Sequence, residues 1–435
     1  MTTAKQLVVE PANGRGLLGR LRAPGDKSVS HRALLIAALG AGRSRVRGLS
    51  RGDDVRHTLE AVVALGAGVE EVGGEIFVEG GSGRLREPEG VIDVGNSGTG
   101  IRLLAGFVSG VSGLTVLQGD SSIARRPMDR VAVPLRLMGV PVDGREGGKF
   151  PPLVVRGGKA RGIDYTPPIA SAQVKSAVLL AALSAEGETT VHEPVPTRAH
   201  TEEMLAVAGA DIGVKDEGKG WAITLRPSAL HAGEIDVPAD PSQAAFWAVA
   251  ACIVPGSDLL LEDVYVGKGR AGFIDVLRRM GADLELTAED PLRNTADIHV
   301  RSGPLRATEV GGPEVPSLID EIPVLAVAAA FAEGTTRFSD AAELRVKETD
   351  RVATTVELLQ SLGARAEPAS DGLVVTGGAG RQLEEGRAQP YGDHRIAMAG
   401  AVAALCANGP VTISGWDATS TSYPGFEEDL RRCLR

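Results

Sequence analysis

Six times along this chain a short polar motif runs directly into a helix-length apolar stretch. The motifs are Gly25-Asp26-Lys27-Ser28, Gly95-Asn96-Ser97-Gly98-Thr99, Ala170-Ser171-Ala172-Gln173, Asp240-Pro241-Ser242-Gln243, Asp320-Glu321 and Gly392-Asp393-His394-Arg395. They recur about every 70 to 80 residues, the mark of internal repetition. A helix that is apolar nearly all round has to be buried. Its first backbone N–H groups lack partners within the helix, and that end carries partial positive charge. Six buried helices with polar, often charged starts point to a binding centre for anions.

Other repeated signals set the architecture. After each apolar run an amphipathic stretch ends in a glycine turn, as in Leu65-Gly66-Ala67 and Met280-Gly281-Ala282, where a helix C-terminal cap is expected. Alternating runs at Glu75–Glu79, Ala222–Leu225 and Gly372–Thr376 read as strands. Each unit is therefore strands plus one buried and one amphipathic helix. Six such units in 435 residues exceed one core. The expected class is α/β (α+β), with two similar domains of three units each and parallel buried helices. Prolines at Ala23-Pro24 and Val237-Pro238 mark the crossings. One domain is expected at 24–238, and residues 1–23 with 239–435 form the other. The six motifs would line a cleft between them.

Bulk properties exclude several classes. A net charge of −10 argues against nucleic-acid binding, which needs a basic face. A negative protein binds an anion only through a local positive pocket. Only nine of the 46 basic residues are lysine, so Lys27 and Lys347 stand out within polar motifs. Cys252, Cys406 and Cys433 are widely spaced, with no zinc-type pattern, and read as free thiols in a reducing compartment. No apolar run reaches the ~20 residues of a membrane span, and the N-terminus lacks a signal-peptide core. The expectation is a cytoplasmic protein with no metal, nucleic-acid or membrane partner.

Taken one at a time, the motifs are ambiguous. Lys27, Ser28 and Arg32 lie in or before the first turn of an apolar helix, an end cations avoid unless an anion sits between them. An N-cap with solvated charges explains the same residues. Gly95–Gly100 follows GxxGxG, not the dinucleotide fingerprint, and a plain turn is its commoner meaning. Arg125-Arg126 reads as a surface pair, and Arg345–Arg351 as a solvated helix with charge pairs three and four apart. Asp393, and the Asp320-Glu321 pair, read as carboxylates at helix starts. Repetition shifts these odds. If the six helices point one way, Lys27, Arg32, Arg126, Lys347, Arg351 and Arg395 converge with Asp320 and Glu348. Such a cluster suits two anionic substrates and proton transfer.

Seven ordered motifs carry a family resemblance: PGDKSVSHRA at 24–33, GNSGTG at 95–100, RRPM at 125–128, SAQ at 171–173, TRAHTE at 197–202, RVKETDR at 345–351 and GDHR at 392–395. Together they resemble the 5-enolpyruvylshikimate-3-phosphate synthase family over essentially the whole chain. The resemblance implies transfer of the enolpyruvyl group of phosphoenolpyruvate to shikimate-3-phosphate, with release of phosphate and no cofactor. It implies that Lys27, Ser28, Arg32, Ser171, Ala172, Gln173, Thr197, Arg198, Asp320 and Lys347 contact shikimate-3-phosphate. It implies that Lys27, Asn96, Gly98, Arg126, Gln173, Arg351 and Arg395 contact phosphoenolpyruvate. Asp320 and Glu348, with Lys27, would be catalytic: Asp320 takes the proton of the attacking hydroxyl and Glu348 protonates the methylene carbon. Gly98 would be the small residue whose enlargement weakens glyphosate binding. A monomer is expected.

Two positions depart from the family pattern. Thr421 stands where many members carry a lysine, and Glu343 where some carry an asparagine. The sister transferase acting on UDP-N-acetylglucosamine would want Lys-Asn in the first motif and a cysteine in the arginine loop. Here Lys27 is followed by Ser28, and Ser121–Arg126 contains no cysteine. A non-catalytic repeat scaffold would leave the polar motifs solvated and would not need Asp320 and Glu348.

Overall fold

In a computed structural model that describes residues 5–218, 220–378 and 380–435, the chain forms two compact units. One comprises Gly25–Val237, the other Met1–Pro24 together with Pro238–Arg435. Each has its own apolar core.

Within Gly25–Val237 the described residues form three four-stranded sheets with one plan. The orders are Glu234–Asp236, Gly42–Arg47, Glu75–Gly80, Gly68–Val72; then Ile92–Asp93, Gly113–Gln118, Phe150–Gly157, Val142–Gly144; then Asp164–Tyr165, Thr189–Glu193, Trp221–Arg226, Asp211–Asp216. In each, the first pair is parallel and the others are antiparallel. The last strand of this segment, Glu234–Asp236, returns to complete the first sheet, so the segment closes on itself.

The other unit repeats the plan using the first residues of the chain. Leu18–Leu21 lies parallel to Asp258–Tyr265, in a sheet continued by Thr295–Arg301 and Asp283–Asp290. Glu309–Val310, Gly334–Phe338, Leu373–Gly377 and Arg365–Pro368 form the next. The third is three-stranded: Gly386–Ala388, Val411–Ile413 and Leu7–Val9. Pairing of Leu7–Val9 with Val411–Ile413 is antiparallel and ties the two ends of the chain together.

Each sheet is accompanied by one buried helix. These are Lys27–Leu39, Gly98–Val108, Ala172–Ala182, Pro241–Ile253, Ile322–Phe331 and His394–Ala404. In the last, every residue is buried. Alanine, the best helix former, lets such helices pack closely without side-chain entropy cost. Five start on a side-chain cap: Asp26 accepts from Val29 N at 2.8 Å, Ser97 from Gly100 N at 2.9 Å, Ser171 from Val174 N at 3.4 Å, Asp240 from Ser242 N at 2.7 Å and Asp393 from Arg395 N at 2.9 Å. Glu321 makes no such cap bond, because its carboxylate is engaged elsewhere. The amphipathic helices end as the sequence implies, with Gly66 and Gly281 at φ of 105° and 87°. Such angles cost glycine nothing.

Two local readings need correction. The cap at Asp26 starts the first buried helix at Lys27, so Arg32 falls in its second turn, not its first. Arg345–Arg351 is not one solvated helix. A short 3-10 turn, Ala342–Val346, ends before a new helix that Asp350 caps and Arg351 opens. All three cysteines are free; Cys252 and Cys433 are buried, Cys406 half-buried. Among the described residues no helix is long and apolar enough to cross a membrane.

Helix packing makes a paired expectation for two helical glycines. A methyl at Gly106 would run into the backbone of Ala177 on the neighbouring helix, whereas one at Gly400 would meet only methyl groups at 3.4 Å or more. Gly106→Ala should destabilise by about 1–3 kcal/mol through overpacking. Gly400→Ala should be neutral or stabilising by up to about 1 kcal/mol, through helix propensity. Urea midpoints of the two variants test this; the reverse order would contradict the packing described.

Candidate active site

The buried helices place their polar starts together within each unit. In Gly25–Val237, Arg32 is 3% exposed and ties three elements. Its Nη1 donates to Ser28 O at 2.8 Å, Nη2 to Ser176 Oγ at 2.7 Å and Nε to Thr201 Oγ1 at 2.7 Å. Gln173 is fixed from both sides: its Oε1 accepts from Arg102 Nη1 at 2.8 Å and its Nε2 donates to Thr99 Oγ1 at 3.0 Å. Arg126, buried, donates to Asn96 Oδ1 at 3.4 Å, and Asn96 donates to Asp120 Oδ2 at 2.6 Å. Lys27 Nζ lies 2.8 Å from Asp54 Oδ2. Ser28, Ser171, Ala172 and Arg198 are half-buried, and Thr197 is buried, its hydroxyl bonded to Glu193.

Gly98 shows why a small residue is needed here. A Cβ at this position would lie 2.5 Å from Arg126 Nη1 and 3.3 Å from Arg102 Nη1. Any larger side chain pushes these guanidinium groups aside.

In the other unit the cluster is carboxylate-rich. Arg351 is 1% exposed. Its Nε donates to Asp393 Oδ2 at 2.8 Å, Nη1 to Asp320 Oδ1 at 3.1 Å and Nη2 to Glu348 Oε2 at 2.6 Å. Burial opposes its charge, but Asp393, Glu348 and Asp320 outweigh that and raise its pKa further. Lys347 Nζ stands 3.6 Å from Asp320 Oδ1. Arg395 donates to Asp320 O at 3.0 Å and its Nη2 lies 4.0 Å from Asp320 Oδ2. Arg270, 2% exposed, joins Asp240 Oδ1 at 2.8 Å to Glu321 Oε1 at 3.2 Å. Each arginine thus bridges the starts of different buried helices.

Of the expected residues, Lys27, Ser28, Arg32, Asn96, Gly98, Arg126, Ser171, Ala172, Gln173, Thr197 and Arg198 belong to the unit Gly25–Val237, and Asp320, Lys347, Glu348, Arg351 and Arg395 to the other. Sequence reasoning missed Asp54, Arg102, Lys175 and Arg270. Arg102 had a signal, being four residues beyond Gly98 on one helix face. Lys175 interrupts an apolar run. Arg270 sits in a loop with no periodicity and gave none. Among the described residues no His/Cys/Asp/Glu group has a metal-binding arrangement.

His31 couples this cluster to pH. Burial, then the charges of Lys27 and Arg32, hold its pKa well below the ordinary value. The neutral ring fits its partners, Thr58 Oγ1 at 2.7 Å from Nδ1 and Ser97 Oγ at 3.3 Å from Nε2. In the unfolded chain His31 takes up a proton below about pH 6.5, while the folded chain resists it. Stability contributed by this group is therefore present above pH 6.5 and declines as pH falls, by at most about 1.4 kcal/mol per unit. Urea midpoints between pH 7.5 and 5.5 should fall less steeply in His31→Gln than in the parent; equal slopes would contradict this.

The geometry has counterparts in known proteins. The family model for EPSP synthase (3-phosphoshikimate 1-carboxyvinyltransferase) matches residues 11–430. A 3-phosphoshikimate 1-carboxyvinyltransferase of Syntrophotalea carbinolica is 48% identical over 426 residues, covering 97% of each chain. One from Synechococcus sp. (strain JA-3-3Ab) is 47% identical, covering 100% of this chain and 98% of the relative. The solved EPSP synthase of Acinetobacter baumannii superimposes with a TM-score of 0.87 at 41% identity, covering 99% of this chain and 98% of that one. The enolpyruvyl transferase NikO of Streptomyces tendae shares the fold at 19% identity, with a TM-score of 0.78 and coverage of 99% of this chain and 98% of that one. A match of this extent, on a chain whose buried arginines and carboxylates gather at the family's own motifs, means that this protein belongs to the EPSP synthase family.

Proposed function

We propose that this chain transfers the enolpyruvyl group of phosphoenolpyruvate to the 5-hydroxyl of shikimate-3-phosphate and releases phosphate. Support comes above all from Arg351, a buried guanidinium shared by Asp320, Glu348 and Asp393. A forked cation of this kind suits a carboxylate or phosphate. An incoming anion competes with Asp320 and Glu348 for Arg351, and the carboxylates it displaces are the groups available to move protons.

On this reading Lys27, Ser28, Arg32, Ser171, Ala172 and Gln173 hold shikimate-3-phosphate, with Arg198 at its phosphate, Thr197 in the loop that carries Arg198, and Lys347 beside the ring. Lys27, Asn96, Gly98, Arg126, Gln173, Arg351 and Arg395 hold phosphoenolpyruvate. Asp320 accepts the proton of the 5-hydroxyl as its oxygen bonds to C2 of phosphoenolpyruvate. Glu348 gives a proton to C3, which becomes a methyl group, and a tetrahedral adduct results. The methyl group then returns a proton to Glu348, which restores the double bond as the C–O bond to phosphate breaks and the leaving phosphate takes the proton held by Asp320. The cations stabilise charge on the adduct and the leaving phosphate. The reading needs neither metal nor organic cofactor. It places the protein in the cytoplasm, acting as a monomer.

The test is phosphate release from phosphoenolpyruvate with shikimate-3-phosphate as acceptor. Release with UDP-N-acetylglucosamine instead would assign the chain to the sister activity, and release with neither would overturn the proposal. Two variants refine the roles. Glu348→Gln should keep substrate binding and lower kcat by on the order of 10² to 10⁴, the usual worth of acid–base catalysis; near-normal turnover would remove it from the mechanism. Gly98→Ala should displace Arg126 and raise KM for phosphoenolpyruvate by at least about tenfold, while changing KM for shikimate-3-phosphate by less than about twofold. Equal effects on both constants would mean that Gly98 and Arg126 are wrongly assigned.

A further inference from the structure

Lys175 lies outside every residue given a role above, yet it is wholly buried. It belongs to the helix Ala172–Ala182, just after the Ser171-Ala172-Gln173 motif. Its Nζ sits 2.7 Å from Glu193 Oε2 and 2.6 Å from Glu202 Oε1. A dry ammonium between two carboxylates is costly to assemble and is weak evidence for stability alone. Burial pushes the Glu202 carboxyl up, partly offset by Lys175.

The two carboxylates occupy telling positions. Glu193 ends the strand Thr189–Glu193, and Glu202 lies in the first turn of the helix His200–Val207. The loop between them, residues 194–199, carries Thr197 and Arg198. One ammonium therefore pins both ends of that loop to the helix that bears Gln173. Pro194, Val195 and Pro196 are exposed, so this stretch has no apolar anchor. Thr197 is the buried residue of the loop, and its hydroxyl proton is donated to Glu193 Oε1. A hydroxyl committed in this way has no proton left for a phosphate oxygen, which only accepts.

We infer that Lys175, Glu193 and Thr197 form a positioning chain that holds Arg198 at the phosphate of shikimate-3-phosphate, with Thr197 acting as a latch rather than as a phosphate donor. The inference rests on the reading of Arg198 as a ligand of that phosphate. Loss of the chain frees the loop without touching the reacting atoms, so the cost falls on one substrate's binding.

Steady-state kinetics of Lys175→Met, Thr197→Val, their double variant and Arg198→Ala test this, with thermal unfolding as a check on folding. Each of the first two should raise KM for shikimate-3-phosphate by about tenfold, the loss of one charge-assisted bond. KM for phosphoenolpyruvate should stay within about twofold and kcat at saturation within about threefold. The double variant should be no worse than the worse single, because both break one chain. Losses that multiply, or that fall equally on both substrates, would overturn the positioning role. Should Lys175→Met fail to fold, Thr197→Val, which keeps the ion triad and the side-chain shape, decides alone: an unchanged KM overturns the inference. If Arg198→Ala leaves KM unchanged, the failure lies in the assignment of Arg198 itself. If only Arg198→Ala raises it, the assignment stands and the positioning chain does not.

Discussion

Placing a cation at the start of a buried helix is unfavourable twice over. The site is dry, and the helix end is already partly positive. Arg351 and Arg395 occupy helix starts, and Arg270 and Arg32 reach such starts from a loop and from a second turn; each is held by fixed oxygens on neighbouring elements. Removing one partner from a buried ion pair costs about 3–5 kcal/mol, because the other charge is left without compensation. The arginines therefore lock the helix starts together, and the helix starts in turn hold the arginines. The positions of the arginines are thereby set in advance, even where a carboxylate partner exchanges for a ligand, as electrostatic stabilisation of a charged adduct requires.

The two units meet this constraint differently. In Gly25–Val237 the bonds to Arg32 and Gln173 come largely from hydroxyls, carbonyls and another arginine. Lys27 in the same unit is paired with Asp54. In the other unit the guanidinium groups are held by Asp320, Glu348, Asp393 and Glu321. On the proposed mechanism Asp320 and Glu348 among these charged partners are the groups that carry protons. One repeated scaffold thus fixes its polar helix starts in two ways.

Much of this was legible in the sequence because it is local. Polar motif followed by apolar run gave the starts of the buried helices, since caps and burial act within a few residues. Glycine after amphipathic stretches gave the turns. The family motifs then gave the reaction. What stayed hidden depends on contacts between distant segments. Arg270 joins Asp240 to Glu321 from a loop whose composition is unremarkable for a surface turn. Lys175 reads as a flaw in an apolar helix until Glu193 and Glu202 are seen beside it. Glu321 reads as a cap, yet its carboxylate serves Ser242 and Arg270 instead. The Arg345–Arg351 run reads as a solvated helix because its alternating charges fit one. Only tertiary partners, Asp393 and Asp320, bring Arg351 inside.

On the proposed mechanism the fork of Arg351, not charge alone, receives an anionic substrate in exchange for its carboxylates. Calorimetric titration of phosphoenolpyruvate into the chain in the presence of shikimate-3-phosphate, compared with Arg351→Lys, separates fork from charge. A folded lysine variant should lose more than about tenfold in affinity for phosphoenolpyruvate, since a point charge cannot reproduce the bidentate contact. Equal affinity in a folded Arg351→Lys protein would contradict it.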